Sequence, residues 1–497
     1  MKIPKSIYNW ISLLGLVIAI NCALLILVLF IISLTVGASS AYLGLYIYIV
    51  LPAVLIVGIL LAIIGMIVTR KKHAVAETGM PHWPVLDMNQ PRHRRRIVIV
   101  SASALLFLIV SAMGSYQAFR YTESVSFCGK LCHEVMKPEY VTYLHSPHAR
   151  VKCVECHVGE GADWYVKSKL SGLYQVYAVA FNVYPRPIPT PIKNLRPARE
   201  TCERCHWPQK FYARSLRNER NYLTDSANSE YNISIVMKTG PAYSSMGLTE
   251  GIHWHINPDV KIEYIASTND RETIPYVKYT NLKTKEVKIF QDTENPLGKG
   301  AMDSLETRTM DCMDCHNRPS HSYKSPVTYL DAALTSGEIP QELPFIKKVA
   351  MKILKLPFTN TDSALMFIRD SINRYYKVVH PAIYASSKTL IDKAITGIQN
   401  EFKLNAFPEM HVTYASYLNH IGHMESDGCF RCHSGTHKTE KGETISKDCD
   451  LCHTIIAEGP SNKMKFANIN STLEFEHPID IGTDWKDYKC TECHRDL

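Results

Sequence analysis

Seven times along its length the chain sets two cysteines and a histidine in one short motif. Six are regular C-x-x-C-H segments: CVECH from Cys153, CERCH from Cys202, CMDCH from Cys312, CFRCH from Cys429, CDLCH from Cys449 and CTECH from Cys490. The seventh, CGKLCH, carries one extra residue between Cys128 and Cys132 and ends on His133. Together they use 14 of the 15 cysteines. Cys22 is left over inside an apolar run, where a small buried thiol needs no further role.

The histidine decides between chemistries. Zinc asks for four ligands in a tetrahedron and a disulfide asks only for sulfur, so neither explains a His after every second Cys. Covalent c-type haem does: the two thiols add to the porphyrin vinyl groups, and the adjacent His binds the iron. The expectation is seven covalently bound haem c groups. Their attachment points are Cys128, Cys132, Cys153, Cys156, Cys202, Cys205, Cys312, Cys315, Cys429, Cys432, Cys449, Cys452, Cys490 and Cys493. The proximal ligands are His133, His157, His206, His316, His433, His453 and His494.

Residues 119–497 offer only 379 positions for seven motifs, about 54 each. So little chain cannot wrap an ordinary core around each cofactor, so the porphyrins must supply apolar surface themselves. The expected fold is a multihaem cytochrome c with three N-terminal transmembrane helices. Its haem domain is mostly short helices and loops, with a small antiparallel β insertion.

Three uncharged apolar stretches suggest the spans: Ile11–Val36, Ala41–Val68 and Ile97–Gly114. The first is too long for a signal-peptide core and is followed at once by a second, which reads as an uncleaved hairpin. Between spans two and three lie seven Lys or Arg against Glu77 and Asp87. That loop is expected on the cytoplasmic side, which makes the protein a multi-pass one of a bacterial inner membrane with its haem domain in the periplasm. Residues 1–69 and this loop hold nearly all of the net charge of +8. Haem propionates then make the outer domain acidic, which favours basic docking partners and argues against nucleic acid.

The expected segments are a transmembrane hairpin (1–69), the basic loop (70–96), the third span (97–118) and a haem segment (119–206). A β-rich insertion (207–308), a fourth-motif segment (309–325), a helical segment (326–425) and a C-terminal trihaem segment (426–497) follow. In the insertion, YNISIVMKT, VKIEYIAS, IPYVKYT and VKIF read as strands. In the helical segment, Leu365, Ile368, Ile372, Tyr375 and Val379 recur at helical spacing, as do Leu390, Ile391, Ala394, Ile395, Ile398 and Phe402.

A second strong axial ligand closes an iron to substrate, and a vacant position opens it. Eleven histidines remain after the proximal ones and three near the basic loop are set aside. His145, His253, His321, His420, His423, His437 and His477 are the expected distal ligands. His148 and His255 lie beside two of them, and GIHWHIN is expected to be a strand with both His on one face. Met136, three residues beyond His133, places a thioether near the first iron, which raises its potential.

The Cys pair followed by CHEVM, the His before CVECH and the segment CMDCHNRPSH resemble the NapC/NirT family of membrane-anchored quinol dehydrogenases. The resemblance implies menaquinol oxidation at the outer membrane surface and electron delivery to periplasmic c-type cytochromes. It implies that Met136 binds the first haem and frees His133. It also implies a quinol pocket on the helix after the second motif, in GADWYVKSKLSGLYQVYAVAF, with Lys167 or Lys169 as the pocket lysine. The family's Asp position holds no carboxylate here; Gln175 is nearest and Asp163 is a substitute base. Two rival functions remain. One is an electron conduit with no quinol site, fed by a membrane partner or a second copy through the hairpin. The other is a terminal reductase, against which the supply of spare histidines argues.

Overall fold

The computed structural model describes residues 9–36, 51–73, 89–132, 134–159, 162–190, 197–240, 251–298, 300–469 and 471–495. Two compact units divide the chain: residues 1–124 with 157–173, and residues 125–156 with 174–497.

The first unit opens with helices α1 (Trp10–Val36) and α2 (Leu51–His73). Their described apolar side chains are mostly exposed, as lipid-facing side chains are. The two helices run antiparallel, because Asn9 and Ser12 meet Gly65 and Ala62 while Ala19 meets Gly58. Small residues make the seam: a Cβ added at Gly58 would lie 2.9 Å from the Ala19 backbone nitrogen. This close approach is how helices associate in lipid, where apolar burial supplies no drive. One polar latch joins in, with the buried Ser12 hydroxyl donating to the Ala62 carbonyl at 2.9 Å.

Among the described residues, two helices are long and apolar enough to cross a membrane, over Trp10–Leu27 and Leu51–Thr69. This corrects the expected count of three. The third stretch falls inside α3 (Pro91–Thr122), a 32-residue helix, whose side chains at 104–105 and 107–112 lie outside the described residues.

The second unit holds the motifs. Short helices α4 (Lys137–Leu144) and single turns at Cys153–His157, Ala198–Cys202, Cys312–Cys315 and Cys490–His494 carry attachment residues or follow them. The strands form two antiparallel sheets. β1 (Ser215–Tyr222), β2 (Glu230–Met237), β8 (His453–Gly459) and β9 (Lys465–Phe466) pair in the order β1-β2-β8-β9. β3 (Val260–Ile265), β4 (Tyr276–Asn281), β5 (Val287–Asp292), β6 (Thr307–Thr309) and β7 (His437–Lys438) pair in the order β6-β3-β4-β5-β7. The β region is therefore not a self-contained insertion, since both sheets are completed by strands from the last three motifs.

Among the described residues the largest hydrophobic core contains no haem motif, and two smaller clusters lie around Phe407 and Tyr264. Helices α6 (Pro326–Thr335), α7 (Ile346–Leu354), α8 (Thr361–Val379) and α9 (Lys388–Asn405) pack Leu330, Ile346, Ile368, Ile372, Ile391 and Ile398 fully out of water. Ser325 and Asn360 cap α6 and α8 by accepting from Thr328 and Ser363 amides. Inside this bundle Lys347 and Asp331 form an ion pair at 2.5 Å, both nearly inaccessible. Lys347→Met strands the Asp331 carboxylate in the bundle and should cost about 3–5 kcal/mol. Hydrogen exchange should show faster amide exchange across α6 and α7, with the sheets unchanged; unchanged α6 and α7 would contradict the pair's role.

Candidate haem centres

Two imidazoles that share one metal, each through a bond of about 2 Å, hold their ring centroids roughly 6 Å apart. Five pairs in the second unit have this separation, and each joins a motif histidine to one from elsewhere. His206 faces His148 at 5.9 Å, His316 faces His253 at 6.4 Å and His433 faces His255 at 5.9 Å. His453 faces His423 at 6.3 Å, and His494 faces His477 at 6.1 Å.

In five of these rings the far nitrogen is tied back as metal-binding imidazoles require, while the Nδ1 of His453 is buried without a partner. The Nδ1–H of His253 donates to the Thr239 carbonyl, that of His255 to Ile252 and that of His433 to Ser446, at 2.8–2.9 Å. His148 and His477 donate likewise to Pro319 and Ile479. Burial lowers the pKa of His253, His255, His316, His433, His423, His453 and His494, which favours the neutral ring that binds a metal. A cavity of 370 Å³ beside His255 has apolar walls from Val260, Ile262 and Leu282 and two cations, Arg199 and Lys261. An apolar lining with two cations suits a porphyrin with its propionates, and Asp311 shares that lining. Among the described residues no three His, Cys, Asp or Glu side chains gather as a separate metal-ion site.

The attachment cysteines abut in sequence order. The Cys128 and Cys153 thiols touch, as do those of Cys202 and Cys312. Cys156 lies within electrostatic reach of Cys205, Cys315 of Cys429, Cys429 of Cys452 and Cys449 of Cys490. In the irregular first motif the longer loop closes over an aromatic ring, because Gly129 lies flat on Tyr140: a Cβ there would meet the ring at 2.7 Å. Met136 is half-buried at the start of α4, its amide held by the Cys132 carbonyl. His133 lies outside the described residues.

Other expected ligands fall elsewhere. His420 gives Nδ1 to the Asp314 carbonyl and faces Glu272 with Nε2 at 3.0 Å. His437 is buried with Nε2 on the Ile274 carbonyl at 2.7 Å and Nδ1 against the Ser434 hydroxyl. Both rings thus have protein neighbours at both nitrogens, and neither stands opposite a motif histidine in the ring pairs above. His145 is exposed with Nδ1 on Val141, and it is its neighbour His148 that faces a motif histidine. His321 ties Nδ1 to the Glu139 carbonyl. His253 and His255 do not share a strand face. They occupy a 3₁₀ turn, Ile252–Ile256, whose three residues per turn send the two rings to different motifs.

Helix α5 (Ala162–Ala180) carries the expected quinol residues. Lys167 is exposed with its ammonium 4.7 Å above the Trp164 ring, and the half-buried Lys169 sits 4.9 Å from Tyr165. Gln175 is exposed, and the Asp163 side chain lies outside what is described.

The NapC/NirT cytochrome c family model for the N-terminal region matches residues 90–187. The cytochrome c-type protein ImcH of Geobacter sulfurreducens is 41% identical over 496 residues, covering 99% of this chain and 96% of that protein. The chain belongs to the NapC/NirT cytochrome c family. The cytochrome c-type protein NrfH of Wolinella succinogenes is also similar, 30% identical over 122 residues, 24% of this chain and 68% of that protein. No solved structure shows a significant match. Family membership makes this a membrane-anchored, quinol-linked electron-transport cytochrome with covalently bound haem.

The ring planes give a spectroscopic test. His253/His316 and His423/His453 lie within 15° and 21° of parallel, whereas His148/His206 and His255/His433 are crossed at 75° and 83°. Ferric haem with parallel imidazoles gives rhombic low-spin EPR signals, and crossed imidazoles give a single large-g feature. The oxidised protein should show both classes. His255→Met should remove one large-g component, while His420→Met and His437→Met should leave the spectrum as it was. Loss of a haem signal in either of the last two would restore them as ligands.

Proposed function

We propose that the protein carries seven haems and oxidises menaquinol at the periplasmic face of the inner membrane, passing electrons to periplasmic c-type cytochromes. The observation that carries the quinol step is the surface of α5. Leu170, Leu173, Tyr174, Val176, Tyr177 and the following Phe181 are all more than half exposed. So broad an apolar and aromatic face, with Lys167, Lys169 and Arg186 at its polar margin, suits the headgroup boundary of a bilayer, where a lipid-soluble quinol is found. The helix begins only a few residues after His157, so this face follows the second motif directly in sequence.

When bound, the haems supply one-electron redox chemistry; the chain supplies position and proton handling. Quinol oxidation releases two protons with its two electrons. Lys169, held against Tyr165, would orient a quinol oxygen, and its positive charge would favour the phenolate as the proton leaves. In the same helix, Gln175 would serve as a hydrogen-bond partner and Asp163 as the base. Met136 would supply a thioether to the first iron, favouring its reduced form as electron acceptor, and His321 would serve a further iron. Four arginines at the start of α3 support a cytoplasmic position for that end of the helix, in keeping with the periplasmic reading.

Anaerobic mixing of the detergent-solubilised protein with a reduced naphthoquinol, followed at the haem α-band, tests this reading. Rapid reduction is expected in the wild type and at least tenfold slower reduction in Lys169→Ala, with dithionite reducing both fully. Failure of quinol to reduce the wild type would leave a conduit fed by a partner.

A further inference from the structure

Between motifs four and five a guanidinium is buried without a carboxylate against it. Arg431, inside CFRCH, is 8% exposed. Its Nε donates to the Gly428 carbonyl at 2.8 Å, one terminal nitrogen to the Arg271 carbonyl at 3.0 Å and the other to the Asp314 carbonyl at 2.6 Å. All three acceptors are neutral, so the charge is solvated by peptide dipoles and not cancelled.

The surroundings are arranged to produce this. Arg271 sits at φ 62°, a left-handed conformation that is costly for a residue with a Cβ. From there its carbonyl reaches Arg431 while its own guanidinium pairs with the Asp314 carboxylate at 2.9 Å. Asp314 is itself 1% exposed and also accepts from the Tyr264 hydroxyl and the Asp311 amide. Its carboxylate is held by Arg271, with Arg308 also in reach, and among the described residues no carboxylate contacts Arg431. The Arg431 guanidinium also lies within electrostatic reach of the sulfurs of Cys315, Cys429 and Cys432.

The location gives this charge its consequence. Motifs four and five are separated in sequence by residues 317–428, which include the whole haem-free bundle, so their junction is held only by contacts between distant segments. Arg431 makes that junction, belonging to motif five and bonding the main chain of motif four.

We propose that Arg431 positions the attachment loops of motifs four and five and, through its uncancelled charge, holds both irons at raised potential, so that the hand-over from the first four motifs to the last three sits at an electron-accepting step. This rests on the haem reading above. A buried positive charge in a low-dielectric surrounding favours the form of each iron with one positive charge fewer.

The test uses the full-length, haem-loaded protein with Arg431→Gln and Arg431→Lys. Intact mass and peptide mass report haem at each motif, and an equilibrium redox titration followed by α-band and EPR reports potentials. Arg431→Gln should lower two potentials and leave the others in place, and Arg431→Lys, which keeps the charge, should hold both near wild-type values. Unchanged potentials in a fully loaded Arg431→Gln protein overturn the proposal, as does an equal fall in Arg431→Lys. Should Arg431→Gln lose haem, the Lys protein decides alone by the same criterion. Absence of haem from motifs four and five in the wild type would instead sink the haem reading, and peptide mass shows that separately.

Discussion

The structure depends on holding two imidazole rings about 6 Å apart, face to a common centre, again and again within a short chain. An imidazole has one nitrogen for the metal and one for the protein, and here the second is most often fixed by a main-chain carbonyl. Thr239, Ile252, Ser446, Pro319 and Ile479 provide those carbonyls, and each lies in a turn, a strand end or an irregular segment. That explains why so little regular structure surrounds the motifs. Long helices offer few open carbonyls at the right place, whereas turns and 3₁₀ segments expose them. It also means that the second unit's fold and its cofactors are coupled: ring pairs not closed by a metal are buried polar groups with little to hold them.

Two other parts of the molecule obey different rules. The α1–α2 hairpin is built for lipid, with a seam of glycines and one serine and with apolar side chains left outward. The α6–α9 bundle is an ordinary water-soluble core, complete with caps, fully buried aliphatics and an internal ion pair. Its presence modifies the view that the cofactors must supply all apolar surface. The chain sets its largest conventional core in a region without a motif, with smaller apolar clusters beside the motifs.

What was legible in the sequence follows from the range of the interactions. The motifs and the strands β2–β5 are local patterns, and the strands appear where composition and spacing put them. Helical periodicity located α8 and α9, though it missed the inner face by one position: Tyr376, not Tyr375, is fully buried with its hydroxyl on Pro344, and Val379 is exposed. β1 (SLRNERNY) was invisible because its residues are polar, and it is a strand only because β2 and, beyond it, β8 lie alongside. Distal histidines were the least legible, since proximity in sequence says little about which ring faces which. His145 was the expected ligand, and it is His148, three residues on across a turn, that faces a motif histidine. His420 and His437 have suggestive positions but are tied to main chain and carboxylate neighbours, which only the folded arrangement reveals.

Electron cryomicroscopy of the haem-loaded, detergent-solubilised protein tests the central claim most directly. The account predicts haem density between each of the pairs His148/His206, His253/His316, His255/His433, His423/His453 and His477/His494, with the haems following one another in motif order. A haem whose iron is held by His420 or His437, or a break in that order, would contradict it.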